Sequence, residues 1–219
     1  MNPFFTSCML LFSMFAHDAA AGAPVTRDEL LGSAYRHLSQ GHLDLAEQEY
    51  RTVLTKRPHE KDALLGLAVA CQRRLQTECA SRRYRQVLDE EMDNSAAAAG
   101  LISLTMPADP VAAESQLKEL LDIRPSSPEL QHALGNALAY QQRMSEAEHA
   151  FSIASSLSPD NALYAYNLAV SLDLLLKPEA ALPYYEKSLL PSMRDTTLFD
   201  REAVEKRISE IRRRPEPKR

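Results

Sequence analysis

Side chains able to do chemistry are few and scattered along this 219-residue chain. His59-Glu60 opens like the zinc-protease motif H-E-x-x-H, but the closing position holds Ala63, so the second histidine ligand is missing. His37, His42, His59, His132 and His149 do not pair at metal-ligand spacing on any one helix. No G-x-S-x-G, P-loop or G-x-G-x-x-G occurs, and no nucleophile stands beside a base. The expectation is therefore no enzyme, no metal and no cofactor. The densest basic feature is Arg73, Arg74, Arg82, Arg83 and Arg85. Such a cluster either meets an acidic partner or anionic surface, or forms a solvated helix face, and the solvated face is the commoner outcome.

The balance of 25 Lys+Arg against 30 Asp+Glu leaves a net charge of -5, which argues against gripping a nucleic-acid backbone. Six glycines and no tryptophan disfavour a many-stranded fold, and 45% apolar with 25% charged residues is ordinary for a globular chain.

Residues 4–16 (FFTSCMLLFSMFA) form an apolar block too short to span a bilayer comfortably but suited to the core of a secretory signal. The run Ala19-Ala20-Ala21-Gly22-Ala23 follows and offers a cleavage site after Ala21. Residues 1–21 are accordingly expected to be a signal peptide, and the protein exported, periplasmic or envelope-associated. No Lys or Arg precedes Arg27, which leaves an uncleaved anchor as the alternative; only in that form would this segment give membrane association.

The remainder is organised by self-similarity. Ala46, Ala80, Ala113, Ala147 and Ala181 follow one another at 34, 33, 34 and 34 residues. Four residues after each stands Tyr50, Tyr84, Leu117, Phe151 or Tyr185, and twelve after three of them stands Pro58, Pro125 or Pro159. Twelve residues before the alanine come Ala34, Ala68, Gly135 and Ala169; the third unit has Ile102 at eleven, because its turn is one residue short. This pattern resembles the tetratricopeptide repeat, in which small residues let two antiparallel helices approach, an aromatic fills the joint to the neighbouring unit, and proline ends the second helix.

The resemblance implies an all-α, right-handed superhelical solenoid of five helix-turn-helix units at residues 27–60, 61–94, 95–127, 128–161 and 162–195. An amphipathic helix at 200–214, with Val204, Ile208 and Ile211 on one face, would cap the last unit, and 215–219 would be a disordered tail. Thr26 with Glu29, and Ser145 with Glu148, form capping-box patterns; Asp109-Pro110 reads as N-cap and first helical residue; Pro183 should kink its helix. In such a unit the position of Cys71 faces the core of the pair. A disulfide to Cys79 across the turn is geometrically conceivable, but two free thiols are the expectation.

The family implies a non-catalytic protein-binding role, with a protein or peptide segment in the concave groove lined by the first helix of each unit. Peptide-binding relatives carry Lys, Asn and Asn at three positions across two units; here those positions hold His132, Asn136 and Asn167, with Tyr140 and Tyr166 as flanks. Replacing lysine by histidine weakens a charge-based clamp at neutral pH. Packing between neighbouring helices is the competing use for these residues. Residues 166–173 (YNLAVSLD) and 199–204 (FDREAV) further resemble exported tetratricopeptide proteins encoded with type IV pilus or secretion machinery. That resemblance implies a scaffold or assembly factor of the bacterial envelope, the alternative being a chaperone-like holder of an exported substrate.

Overall fold

The computed structural model describes residues 26–190 and 199–213; the expected signal peptide, the end of the fifth unit and the expected C-terminal tail lie outside the described residues. Five helix pairs follow one another: α1 (Arg27–Ser39) with α2 (Leu43–Lys56), α3 (Lys61–Arg73) with α4 (Thr77–Glu90), α5 (Ser95–Thr105) with α6 (Pro110–Ile123), α7 (Pro128–Tyr140) with α8 (Met144–Leu157), and α9 (Ala162–Leu174) with α10 (Pro178–Ser188). A last helix, α11 (Arg201–Arg212), completes eleven among the described residues, which contain no strand. The chain is an all-helical repeat solenoid.

The small residues of the period are the points of closest packing. Ala46, Ala80, Ala113, Ala147 and Ala181 are all buried, and the large residue four places on from each is buried beside it. The first helices of units one to four pack directly on one another, α1 on α3, α3 on α5 and α5 on α7, more closely than the second helices do. The array therefore curves with its first helices inside.

Local signals fix most boundaries. Thr26 accepts from the Glu29 backbone N–H (3.2 Å) while the Glu29 carboxylate accepts from the Thr26 N–H (2.8 Å), so the capping box is complete. Asp109 caps α6, with Pro110 in its first turn. Four of the five turns within pairs share one device: a residue in the left-handed region at Gly41, Leu75, Gln142 or Leu176, followed by an N–H that reaches back five residues. Those bonds are His42 to His37, Gln76 to Cys71, Arg143 to Leu138 and Lys177 to Leu172, at 2.8 to 3.0 Å. The third unit lacks this turn, α5 is only 11 residues long, and α5 and α6 pack together least of the five pairs.

Three sequence expectations are corrected. α8 begins at Met144 with Arg143 as its N-cap and no side-chain cap bond, so Ser145 and Glu148 do not form a capping box. The left-handed Gln142 sets the chain direction two residues too early for Ser145 to serve. The third unit is short in α5 and not in its turn, because residues 106–109 link α5 to α6, four against three in the other pairs; Pro183 lies inside α10, exposed, without ending the helix. Finally, Cys71 and Cys79 are not free thiols but are bonded as a disulfide, with Cα atoms 5.8 Å apart. Cys71 does face the core, being fully buried, but the tight turn at Leu75 carries the first turn of α4 directly over it.

Candidate partner-binding faces

The inner face is built from the exposed stripes of α1, α3, α5, α7 and α9. At its C-terminal half the structure brings His132 on α7 and Asn167 on α9 together: Asn167 Nδ2 donates to His132 Nε2 at 2.7 Å. The imidazole also packs on Tyr164 (ring centroids 4.8 Å apart) and Phe151 (5.7 Å). Desolvation by these neighbours pushes its pKa down to about 4, so it is neutral at pH 7 and acts as an acceptor. His132 and Asn167 thus satisfy each other, as a packing bridge between adjacent units. Asn136, one turn along α7, is partly exposed, and its amide makes no hydrogen bond to any described residue. Tyr140 is exposed, whereas Tyr166 is stacked on Phe199 with the rings 4.3 Å apart and nearly parallel. Of the five residues singled out from sequence, Asn136 and Tyr140 are open to a ligand and the other three are engaged within the chain.

The N-terminal half of the same face carries a second feature. A groove of about 550 Å³ opens between α1 and α3, walled by Leu31, Tyr35, Leu38, Leu65 and Val69, with Asp62 at its rim and Tyr50 as its floor. The tyrosines at the equivalent place in the second and fifth units are tied down. Tyr84 donates to Gln72 Oε1 (2.9 Å) and Tyr185 donates to Asp173 Oδ2 (3.3 Å), each partner lying twelve residues before its tyrosine. In the first unit that place is Leu38, which cannot accept, so the Tyr50 hydroxyl has no protein partner among the described residues. Burial raises its pKa, so it remains a donor throughout the physiological range. The result is an apolar groove with a polar group in its floor that meets solvent and no protein partner among the described residues.

The five arginines of the second unit do not form one patch. Arg73 donates to the Leu38 carbonyl, and Arg74 is paired with Asp44. Arg82 and Arg83 instead face Arg51 of α2 across a cleft on the outer side. Among the described residues no cluster of three His, Cys, Asp or Glu side chains could hold a metal ion, and no helix is long and apolar enough to cross a membrane.

The tetratricopeptide repeat family matches residues 31–78 and 132–193, half of the chain, and the protein belongs to that family. The unmatched stretch holds the irregular third unit. A thermophilic tetratricopeptide protein of Thermus thermophilus, TTC0263, is similar in structure at TM-score 0.66 and 17% identity, over 85% of this chain and 98% of that one. MamA of AMB-1 is similar at TM-score 0.43 and 22% identity, over 73% of this chain and 95% of that one. No curated protein matches the sequence. Repeats of this family generally mediate protein–protein interaction, and their proteins are generally non-catalytic scaffolds.

Proposed function

We propose that the protein is a non-catalytic scaffold that holds a segment of a protein partner on its inner face, as an assembly factor in the bacterial envelope. The observation that carries the binding role is the Tyr50 hydroxyl, left without a partner in the floor of an apolar groove. An extended or helical segment laying apolar side chains between Leu31, Leu65 and Val69 would bring a backbone carbonyl or polar side chain to that hydroxyl. Asn136 and Tyr140 continue the same face further along, an amide there being able both to donate and to accept.

Export rests on residues 4–16 and the alanine run after them, and the Cys71–Cys79 disulfide favours an oxidising compartment. A pilus or secretion assembly is the pathway favoured by residues 166–173 and 199–204. A chaperone-like holder of an exported substrate is the second reading, favoured by the apolar walls and the absence of a cationic clamp in the groove.

A photo-crosslinking residue placed at Tyr35, in cells, tests the proposal. A single stoichiometric partner supports the scaffold, a broad set of exported chains supports the holder, and no crosslink overturns both. Tyr50→Phe should weaken the captured complex by about 0.5–1.5 kcal/mol, the worth of one hydrogen bond, without loss of fold. An intact Met1 on envelope-fraction protein overturns cleavage.

A further inference from the structure

We propose that the cleft between α2 and α4, lined by Arg51, Arg82 and Arg83, is a second binding site, which takes carboxylates of an acidic segment on a protein partner. It lies on the outer side of the array, away from the groove, and does not depend on the groove's role.

The cleft holds about 530 Å³ and is open to solvent. Its guanidinium groups present more donors than the protein fills. Arg51 gives Nε and Nη2 to Glu47 (2.9 and 2.7 Å) and keeps its outer edge free. Arg82 has no partner among the described residues. Arg83 gives Nη1 to Gln86 at 2.8 Å, while its Nε is buried and unpaired, the one such atom among the described residues. A buried donor without an acceptor is uncommon in a folded chain, because its lost hydration is not replaced. Burial, together with the neighbouring charges of Arg51 and Arg82, also weakens the hold of Arg83 on its proton. A chain of net charge -5 has nevertheless gathered three cations here, and Glu78, on the same wall, pairs with none of them. An oxyanion entering the cleft would fill the free donors and relieve the repulsion at once.

The shape selects the source of that oxyanion. Arg83 lies partly buried between the exposed Arg51 and Arg82, so a flat anionic membrane or a nucleic-acid backbone would meet the two outer cations and leave Arg83 unfilled. A projecting Asp or Glu side chain reaches between them to Arg83. Leu75 stands at the lip, 89% exposed, and offers an apolar contact to the next side chain of the same segment.

The test is fluorescence anisotropy of the full chain with a labelled peptide of alternating glutamate and leucine at about 0.1 M salt. We expect saturable binding that falls about tenfold or more in Arg82→Gln with Arg83→Gln, and about threefold or more in Arg82→Gln alone. Arg85→Gln, on the same helix but outside the cleft, should bind within about twofold of the parent. Arg82 is exposed, so its single substitution decides the matter should the double variant fail to fold. Tyr50→Phe should leave this binding unchanged, which separates it from the groove. Absence of peptide binding overturns the proposal. So does equal weakening by Arg85→Gln, which would mean diffuse charge. So does Arg82-dependent binding of inorganic phosphate or phosphatidylglycerol vesicles in place of the peptide.

Discussion

The ring of Tyr50, on the first unit, fills the space that a side chain at Gly66, on the second, would occupy. Tyr84 and Gly100 repeat the relationship across the next joint. Gly32 lies inside a helix as well, but nothing except the flexible end of Arg36 approaches it. In an exposed helix interior, glycine-to-alanine gains roughly 1 kcal/mol of helix propensity. Against a buried ring, overpacking costs roughly 1–3 kcal/mol and reverses the sign. Gly32→Ala should therefore raise the unfolding midpoint in denaturant, whereas Gly66→Ala should lower it. A Gly66→Ala protein as stable as its parent would show that the ring moves aside freely.

Stability should depend on pH through His132. Its pKa is about 4 in the fold against 6.5 for the free side chain, so between those values the unfolded chain holds a proton that the folded one does not. The contribution is fully present above about pH 6.5 and is lost as pH falls towards 4, amounting at most to roughly 3 kcal/mol. Urea titrations of the parent and of His132→Gln across this range should give a shallower slope for the variant. Parallel curves would mean that the imidazole is not desolvated.

Reduction should loosen the second unit. The Cys71–Cys79 bond closes a loop with a sequence separation of 8, for which the chain-entropy estimate is roughly 2–3 kcal/mol. Thermal unfolding with and without dithiothreitol should differ accordingly, and alkylation without reduction should label two fewer cysteines than after it. Full alkylation of the unreduced protein would show that the bond does not form.

Removal of residues 199–213 should uncover the fifth unit. Val204, Ile208 and Ile211 are buried against it, Phe199 covers Tyr166, and Arg207 holds Asp173 through two bonds at 2.6 and 2.7 Å. The truncated chain is expected to aggregate or to melt at lower temperature in light scattering and circular dichroism. An equally soluble and stable truncation would show that α11 is dispensable.

The repeat was readable because five small residues in register leave little else for the chain to be. The caps at Thr26 and Asp109 were readable because each bond is local. The disulfide was not: the burial of Cys71 followed from the period, but its distance to Cys79 depends on the left-handed Leu75, a conformation leucine rarely signals. His132 and Asn167 are legible as a pair of positions in neighbouring units. Whether two such residues face a groove or each other depends on how one unit is rotated on the next, which no single unit encodes. The open Tyr50 hydroxyl also has a signal in the sequence. Reading twelve residues back from each tyrosine gives Gln72 and Asp173 in two units and Leu38 in the first.

The third unit separates what the others join. Its short first helix, its leucine in place of the aromatic, and the slight overlap of α5 with α6 leave the buried interior in three clusters instead of one. Springs joined end to end yield where the softest one sits, and a solenoid in which each unit touches only its neighbours obeys the same rule. Bending or stretching of this molecule is thus concentrated at α5 and α6, while the first two units and the last two each move as a stiff body. The groove at one end and the Asn136–Tyr140 face at the other keep their own shapes as the span between them lengthens or shortens.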